Sequence, residues 1–483
     1  MDNRARLGEL QAIAQPLELN AETRAQYLAA IAEYGEQQIE ALPGKPVYMQ
    51  SRAEPAREEL EFSDSPLDIH AALEIIDRHV DQEGVNIGSP GFLGFIPSGG
   101  LYGSALGDFL AAVTNRYPGV RYSSPGAARL EAELVRWLAS IVGYPATAGG
   151  DHTSGGSIAN LSGIVTAREK AGLKSGDIPS AVVYLTKITH HSVIKALRIA
   201  GLNDCVMRVV ALDKAYRMDV VAFEASIRED IAAGLRPWMV VATAGTTDLG
   251  TVDPMDAIAA IVDQYGLWMH VDGAYGGAFV LCDEGKQRLV GIERSNSLVI
   301  DPHKGFFLPF GSGMVLVRDI DDLYRAFSFT APYMEDTRTL MKTDEYSLHE
   351  ISPELSRPFR GLRFWLPLKV AGLAPFRAAL EEKLLLAEHF YDRVTALKGF
   401  EVGPRPDLSI VTFRYVPDRG DADEFNQRLV DAVRRDGRAF LSSTVLDGKV
   451  TQRMAILNYN THLDTIEETL QVLGEKVGEI LES

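Results

Sequence analysis

The chain has 483 residues, 46% hydrophobic and 24% charged, with mean hydropathy near zero; this composition fits a globular protein of more than one domain and argues against disorder, collagen or a membrane bundle. Its 48 Lys and Arg stand against 66 Asp and Glu, a formal charge of −18 that repels phosphate backbones, and no basic run offsets it, which argues against nucleic acid as a partner. The two cysteines, Cys205 and Cys282, lie outside any CxxC spacing, which speaks against a disulfide framework and a thiolate metal cage and for a reducing, cytoplasmic setting.

The N-terminal MDNRARLGELQAIAQPLEL lacks a basic start followed by an apolar core, so no signal peptide is expected. No stretch reaches the roughly 18 uncharged apolar residues of a bilayer span, so no membrane association is expected. Residues 1–90 read as helical patches; in AETRAQYLAAIAEYGEQQIEAL, Tyr27, Ile31 and Tyr34 recur at helical spacing. A Pro/Gly-rich stretch at 89–103 marks a boundary. Across 91–370, helical stretches alternate with short β-rich runs at 181–185, 206–212, 238–243, 267–271, 298–300 and 314–317. That alternation implies crossover connections, hence a doubly wound α/β domain with a mostly parallel sheet. Over 371–483 the pattern becomes α+β: 409–416 alternates as a half-buried strand, and Phe425, Leu429 and Val433 share one helical face. Two further strand candidates precede a last helix starting near Asp464.

No GxxxxGK[ST], HExxH or strand-to-helix GxGxxG occurs. In open α/β sheets ligands bind beyond the carboxyl ends of the strands, which singles out four places. GGDHTSGGSIAN (149–160) runs a glycine-rich turn with Thr153, Ser154 and Ser157 into a helical pattern. Free backbone N–H groups, small hydroxyls and a positive dipole end suit a phosphate there, although an ordinary capped loop has the same composition. Thr189-His190-His191-Ser192 follows a strand candidate and offers an imidazole to a ligand or to solvent. In WMHVDGAYGG (268–277), Asp272 ends an apolar strand, where it serves a cation, a metal or a helix cap. In DPHKG (301–305), partial burial would make Lys304 a Schiff-base nucleophile, whereas full exposure would leave it a solvated cation. Asp272 and His303 have no further ligands at characteristic spacing, so no metal is expected. Together the four supply a phosphate cup, a ring to cover a flat ligand, an acid for a ring nitrogen and a lysine for an imine, the parts of a pyridoxal phosphate site.

On HVDGAYGG (270–277), DPHKG (301–305), TSGGSIAN (153–160), ATAGTT (242–247) and His190-His191-Ser192, the chain resembles the pyridoxal-phosphate-dependent group II decarboxylases, with similarity from about residue 91 to 456. The resemblance implies fold type I: a helical segment 1–90 that wraps a partner, a large cofactor-binding domain 91–370 and a small α+β domain 371–483. It implies a homodimer with the active site at the subunit interface. Lys304 is implied to bind the cofactor aldehyde and Asp272 to partner the ring nitrogen. His190 would stack on one ring face and Ala274 pack the other. Gly156 and Ser157 resemble the phosphate cup, with Ser154 and Asp301 nearby; Thr246 would lie near the ring or the substrate carboxylate, and His303 would serve the site. A tyrosine on the 333–351 loop is implied as proton donor; Tyr346 takes that place, with Leu348 and His349 as neighbouring registers.

The implied reaction is decarboxylation of an L-amino acid to its amine. An aromatic or hydrophobic substrate is expected because Phe92, Phe95, Phe306 and Phe307 would keep the pocket surroundings apolar. Gly305 stands where aromatic-specific relatives carry tryptophan, which would enlarge the pocket, and Asp151-His152 interrupts a normally apolar approach to TSGG. The alternatives at the same imine are a carbon–carbon lyase of the sphingosine phosphate lyase type and an oxidative decarboxylase that releases an aldehyde.

Overall fold

The β-rich runs assemble into one seven-stranded sheet in the computed structural model, which describes residues 3–50, 57–96, 98–329 and 346–482. Its strands are β1 (Gly149–Thr153), β2 (Ala181–Thr186), β3 (Val206–Val210), β4 (Arg236–Thr243), β5 (Trp268–Asp272), β6 (Ser297–Ile300) and β7 (Gly313–Val317). Their order is β1-β7-β6-β5-β4-β2-β3. Every neighbouring pair is parallel except those of β7, which runs antiparallel to both β1 and β6. Strands β2, β5 and β6 are buried at every position, as sheets covered on both faces require.

Successive strands are joined by α1 (Gly156–Lys170), α2 (His191–Ile199), α3 (Val220–Ala232) and α4 (Met255–Tyr265). The pleat sends alternate side chains of β4 to opposite faces. Val240 and Ala242 join a core with Phe223 of α3 and Ile258 of α4, while Met239 and Val241 join one with Ile164 of α1 and Val193 of α2. Helices therefore cover both faces, the doubly wound arrangement expected from the alternating pattern.

A second sheet has β8 (Phe400–Val402), β9 (Ile410–Tyr415), β10 (Ser442–Leu446) and β11 (Lys449–Ala455) in the order β8-β9-β11-β10, all antiparallel. The helix Ala422–Asp436 starts at Asp421, whose side chain accepts from the Asp423 and Glu424 N–H groups, and it buries Phe425, Leu429 and Val433 against this sheet.

Contacts divide the chain between Ser89 and Pro90. The first unit holds the helices Asn3–Ala14, Ala21–Ala41 and Ile69–Ile76 and a short antiparallel pair, Tyr48–Met49 with Gly84–Val85. Among the described residues no helix is long and apolar enough to cross a membrane.

One strand differs from the sequence reading. Residues 149–153 look like the start of a glycine-rich turn, yet they form edge strand β1. Glycine is depleted in strands and has no side chain to show a period, so a pattern reading passes over it. Here the missing side chain is what permits pairing: a Cβ on Gly150 would lie 2.1 Å from the Val315 carbonyl oxygen of β7. Gly150→Ala should therefore lower the unfolding free energy by about 1–3 kcal/mol in urea titration; an unchanged midpoint would contradict that close approach.

Candidate active site

Three strands end side by side at the carboxyl edge of the sheet. Thr243 of β4 pairs with Asp272 of β5, and Asp272 pairs in turn with Val299 of β6. Beyond β6 the chain passes Asp301 and makes one helical turn, Pro302–Gly305, which carries Lys304. Beyond β1 it turns at Gly155 into the N-terminus of α1. These ends enclose a cavity of about 290 Å³ lined by Ser154, Gly156, Ser157, His190, Asp272, Ala274, Asp301, His303 and Lys304, at the small end of ligand sites.

Asp272 is buried, and both its oxygens are partnered: Oδ1 accepts from the Ala274 N–H at 3.2 Å and Oδ2 from Asn160 Nδ2 at 3.2 Å. Two hydrogen bonds offset the cost of burying a carboxylate. Lys304 Nζ lies 3.0 Å from Asp301 Oδ2, with 23% of its side chain exposed. His190 Nδ1 meets Ser192 Oγ at 2.8 Å. Burial pushes the His190 pKa down, against the opposing pull of Asp272. His303 Nδ1 donates to the Ser312 carbonyl, which leaves Nε2 as acceptor 3.7 Å from Asp301 Oδ2; burial lowers the His303 pKa as well.

Two residues expected at the site lie elsewhere. Thr246 is buried with its Oγ1 on Thr251 Oγ1 at 2.8 Å, and the cavity is lined instead by Thr243, Gly245 and Thr247. The left-handed backbone at Gly245, φ +95°, reverses the chain and turns the Thr246 side chain away. Tyr346 is held on the helix Ile320–Phe327: its hydroxyl donates to Asp321 Oδ1 at 2.6 Å, its ring stacks on Tyr324 at 4.4 Å, and the Asp321 bond pushes its pKa up to about 12. The neighbouring registers are also occupied, since Leu348 packs with Leu323 and His349 Nδ1 bonds the Gly119 carbonyl at 3.0 Å. Residues 333–345 of that loop lie outside the described residues.

The pocket walls also differ from expectation. Phe306 and Phe307 do not line the cavity; the turn after Lys304 sends them into the core, Phe306 edge-on to Phe364 at 4.9 Å and Phe307 stacked on Phe376 at 6.3 Å. Phe92 packs on Phe440 at 5.5 Å and Phe95 on the same ring at 6.2 Å. The absent indole at Gly305 leaves no extra room, because a Cβ there would lie 2.4 Å from Ala278 Cβ. Asp151 and His152 stand behind the cavity, Asp151 paired with buried Arg357 and His152 Nε2 on Ser312 Oγ at 2.7 Å. Sequence reasoning assigned no role to Asn160, although it ends the quoted TSGGSIAN run; its type and its place one turn into α1 were the available signals.

Residues 50–416 match the pyridoxal-dependent decarboxylase conserved domain. An aromatic-L-amino-acid decarboxylase of Bacillus atrophaeus is 36% identical over 405 residues, covering 83% of each chain. A phenylacetaldehyde synthase of Arabidopsis thaliana is 29% identical over 407 residues, 81% of this chain and 83% of that one. Among solved structures, the Catharanthus roseus tryptophan decarboxylase in complex with L-tryptophan superposes with a TM-score of 0.87 at 25% identity, covering 95% of this chain and 99% of the other. The domain match and the decarboxylase relatives place this chain in the pyridoxal-dependent decarboxylase family, as an amino-acid carboxy-lyase with pyridoxal 5'-phosphate as cofactor.

Proposed function

We propose that this chain decarboxylates aromatic L-amino acids to amines and carbon dioxide, as a cytoplasmic homodimer. The observation that carries the reaction is the meeting of Lys304 and Asp272 on one cavity, where hydrogen-bonded neighbours β5 and β6 end. The substrate class is supported by relatives named for aromatic amino acids, including tryptophan decarboxylase 2 of Oryza sativa at 30% identity. Free, buried Cys205 and Cys282 support a reducing compartment.

The cavity fits the cofactor. A Cβ on Gly156 would lie 2.7 Å from Asp301 Oδ2 and 3.2 Å from Ala274 Cβ, so glycine lets the start of α1 approach the Asp301 and Ala274 side of the cavity closely. At the start of α1 the Ile158 and Ala159 N–H groups reach the Gly155 carbonyl at 3.1 Å, which leaves those of Gly156 and Ser157 to meet a phosphate, with the Ser154 and Ser157 hydroxyls beside them. Pyridoxal phosphate, when bound, supplies an aldehyde for Lys304 and an electron-withdrawing ring that weakens the bond to the departing carboxylate. In this reading Asp272 holds a proton on the ring nitrogen, while His190 and Ala274 cover the ring faces. Asp301 Oδ2, 3.0 Å from Lys304 Nζ, would take the proton that the Lys304 ammonium must lose, and His303 stands beside that carboxylate. Gly156, Ser157 and Ser154 hold the phosphate.

The helix Tyr102–Thr114 exposes Leu106, Phe109, Leu110 and Val113, an apolar stripe that supports burial against a second copy, and the 1–90 segment is proposed to wrap that copy. Because Tyr346 is absent from the cavity of its own chain, its Oη is proposed to hand the proton to substrate Cα in the other subunit's site. Oxidative decarboxylation is the second reading, favoured by the aldehyde synthases among the relatives.

Three measurements test these assignments. A panel of free amino acids, followed for carbon dioxide and hydrogen peroxide, should give carbon dioxide and amine from aromatic substrates without peroxide; peroxide at a level equal to carbon dioxide would favour the second reading, and turnover of glutamate alone would refute the substrate class. Borohydride reduction of the holoenzyme should leave a pyridoxyl group on Lys304, and labelling of another lysine would remove its role. Mixing Lys304→Ala with Tyr346→Phe chains should restore amine formation that neither variant shows alone; no recovery on verified mixed dimers would return the donor to the same chain or to another residue.

A further inference from the structure

Behind the cavity a chain of buried polar groups runs from Trp268 to Asp272 and His190. Trp268 Nε1 lies 2.8 Å from Ser297 Oγ, which lies 2.7 Å from His270 Nδ1. His270 Nε2 lies 2.8 Å from Asn160 Oδ1. Asn160 Nδ2 reaches two acceptors, Asp272 Oδ2 at 3.2 Å and Ser192 Oγ at 3.0 Å, and Ser192 Oγ meets His190 Nδ1 at 2.8 Å. Asn160, Ser192, His270 and Ser297 are all buried. Room for the imidazole comes from α1, where a Cβ on Gly163 would lie 2.6 Å from His270 Cε1.

The two ends of this chain dictate the same polarity. An indole N–H only donates, so Ser297 Oγ accepts from Trp268 and turns its own proton to His270 Nδ1. His270 is then protonated at Nε2 and donates to Asn160 Oδ1. From the other end, an ionised carboxylate only accepts, so Asp272 requires the amide nitrogen of Asn160 rather than its oxygen. The reversed amide would set oxygen against carboxylate and leave His270 Nε2–H facing a donor. Burial lowers the His270 pKa, which favours the neutral imidazole and is consistent with a single protonated nitrogen. Ser192, accepting from Asn160, passes its proton to His190 Nδ1 and so fixes the His190 tautomer.

We propose that Asn160 is a positioning residue whose single amide orients both groups facing the cofactor ring, Asp272 and His190, and that Trp268, Ser297 and His270 set the direction of that amide. The proposal rests on the cavity being the pyridoxal phosphate site. One buried side chain thereby couples the ring-nitrogen partner to the residue that covers the ring face.

The test uses the holoenzyme and two readouts besides turnover: the dissociation constant of pyridoxal phosphate, from quenching of intrinsic fluorescence, and the visible absorbance maximum of the bound cofactor. Asn160→Asp keeps the shape and the oxygen facing His270 but loses both donors; it should weaken cofactor binding at least tenfold and move the absorbance maximum. Ser297→Ala removes only the hydroxyl that orients His270, and should weaken binding roughly threefold with a shift in the same direction. Ser162→Ala, equally buried on α1 but outside the chain of contacts, should change neither. Wild-type affinity and spectrum in Asn160→Asp and Ser297→Ala, or equal changes in Ser162→Ala, would overturn the proposal; if Asn160→Asp does not fold, Ser297→Ala with its control decides. A wild-type protein that binds no pyridoxal phosphate would instead sink the reading of the site.

Discussion

Hydrogen-bonded strands lie about 4.8 Å apart, and that spacing sets where the chemistry of this chain can gather. Asp272 is the last residue of β5, and Lys304 rides on the first helical turn after β6, the strand paired with β5. Residues distant in sequence therefore leave the sheet as neighbours, with the turn after β1 and the end of β4 closing the remaining sides of the cavity. A slip of one residue between β5 and β6 would turn Asp272 to the opposite face and dismantle the arrangement. The apolar cores on both faces oppose such a slip, because it would place Met269 and Val271 on the wrong side.

The same core explains how a carboxylate persists below the surface. An unpartnered buried charge is costly, and Asp272 avoids that state through the Ala274 N–H and the Asn160 amide. The helix that presents the Gly156 and Ser157 backbone to the cavity also presents Asn160 to Asp272, so the proposed phosphate cup and the amide that holds the Asp272 carboxylate stand on one rigid element. Lys304, by contrast, keeps part of its side chain exposed and pairs with Asp301, an arrangement suited to the exchange of partners proposed for it.

Much of this was legible because apolar runs bounded by turn residues are strong signals. Strands β2, β4, β5, β6 and β7 and the helix carrying Phe425, Leu429 and Val433 fall where the patterns put them. Strand β1 was not legible: its reason for pairing is the absence of a side chain at Gly150, which no hydrophobic period reports. The places around Asp272 and Lys304 were visible as polar residues at strand ends. The direction of each neighbouring side chain was not, since it depends on backbone reversals such as that at Gly245 and on which core receives Phe306 and Phe307. Asn160 reads from sequence as one polar residue in a helix, and its contacts emerge only when α1 is packed over β5.

The central claim is that one cofactor spans the cavity from the α1 N-terminus to the ends of β5 and β6. A crystal structure of the protein with pyridoxal phosphate tests it most directly. The account predicts the phosphate against Gly156 and Ser157, the ring nitrogen on the Asp272 carboxylate and a covalent bond to Lys304 Nζ. A cofactor seated elsewhere, or one whose ring nitrogen faces away from Asp272, would contradict it.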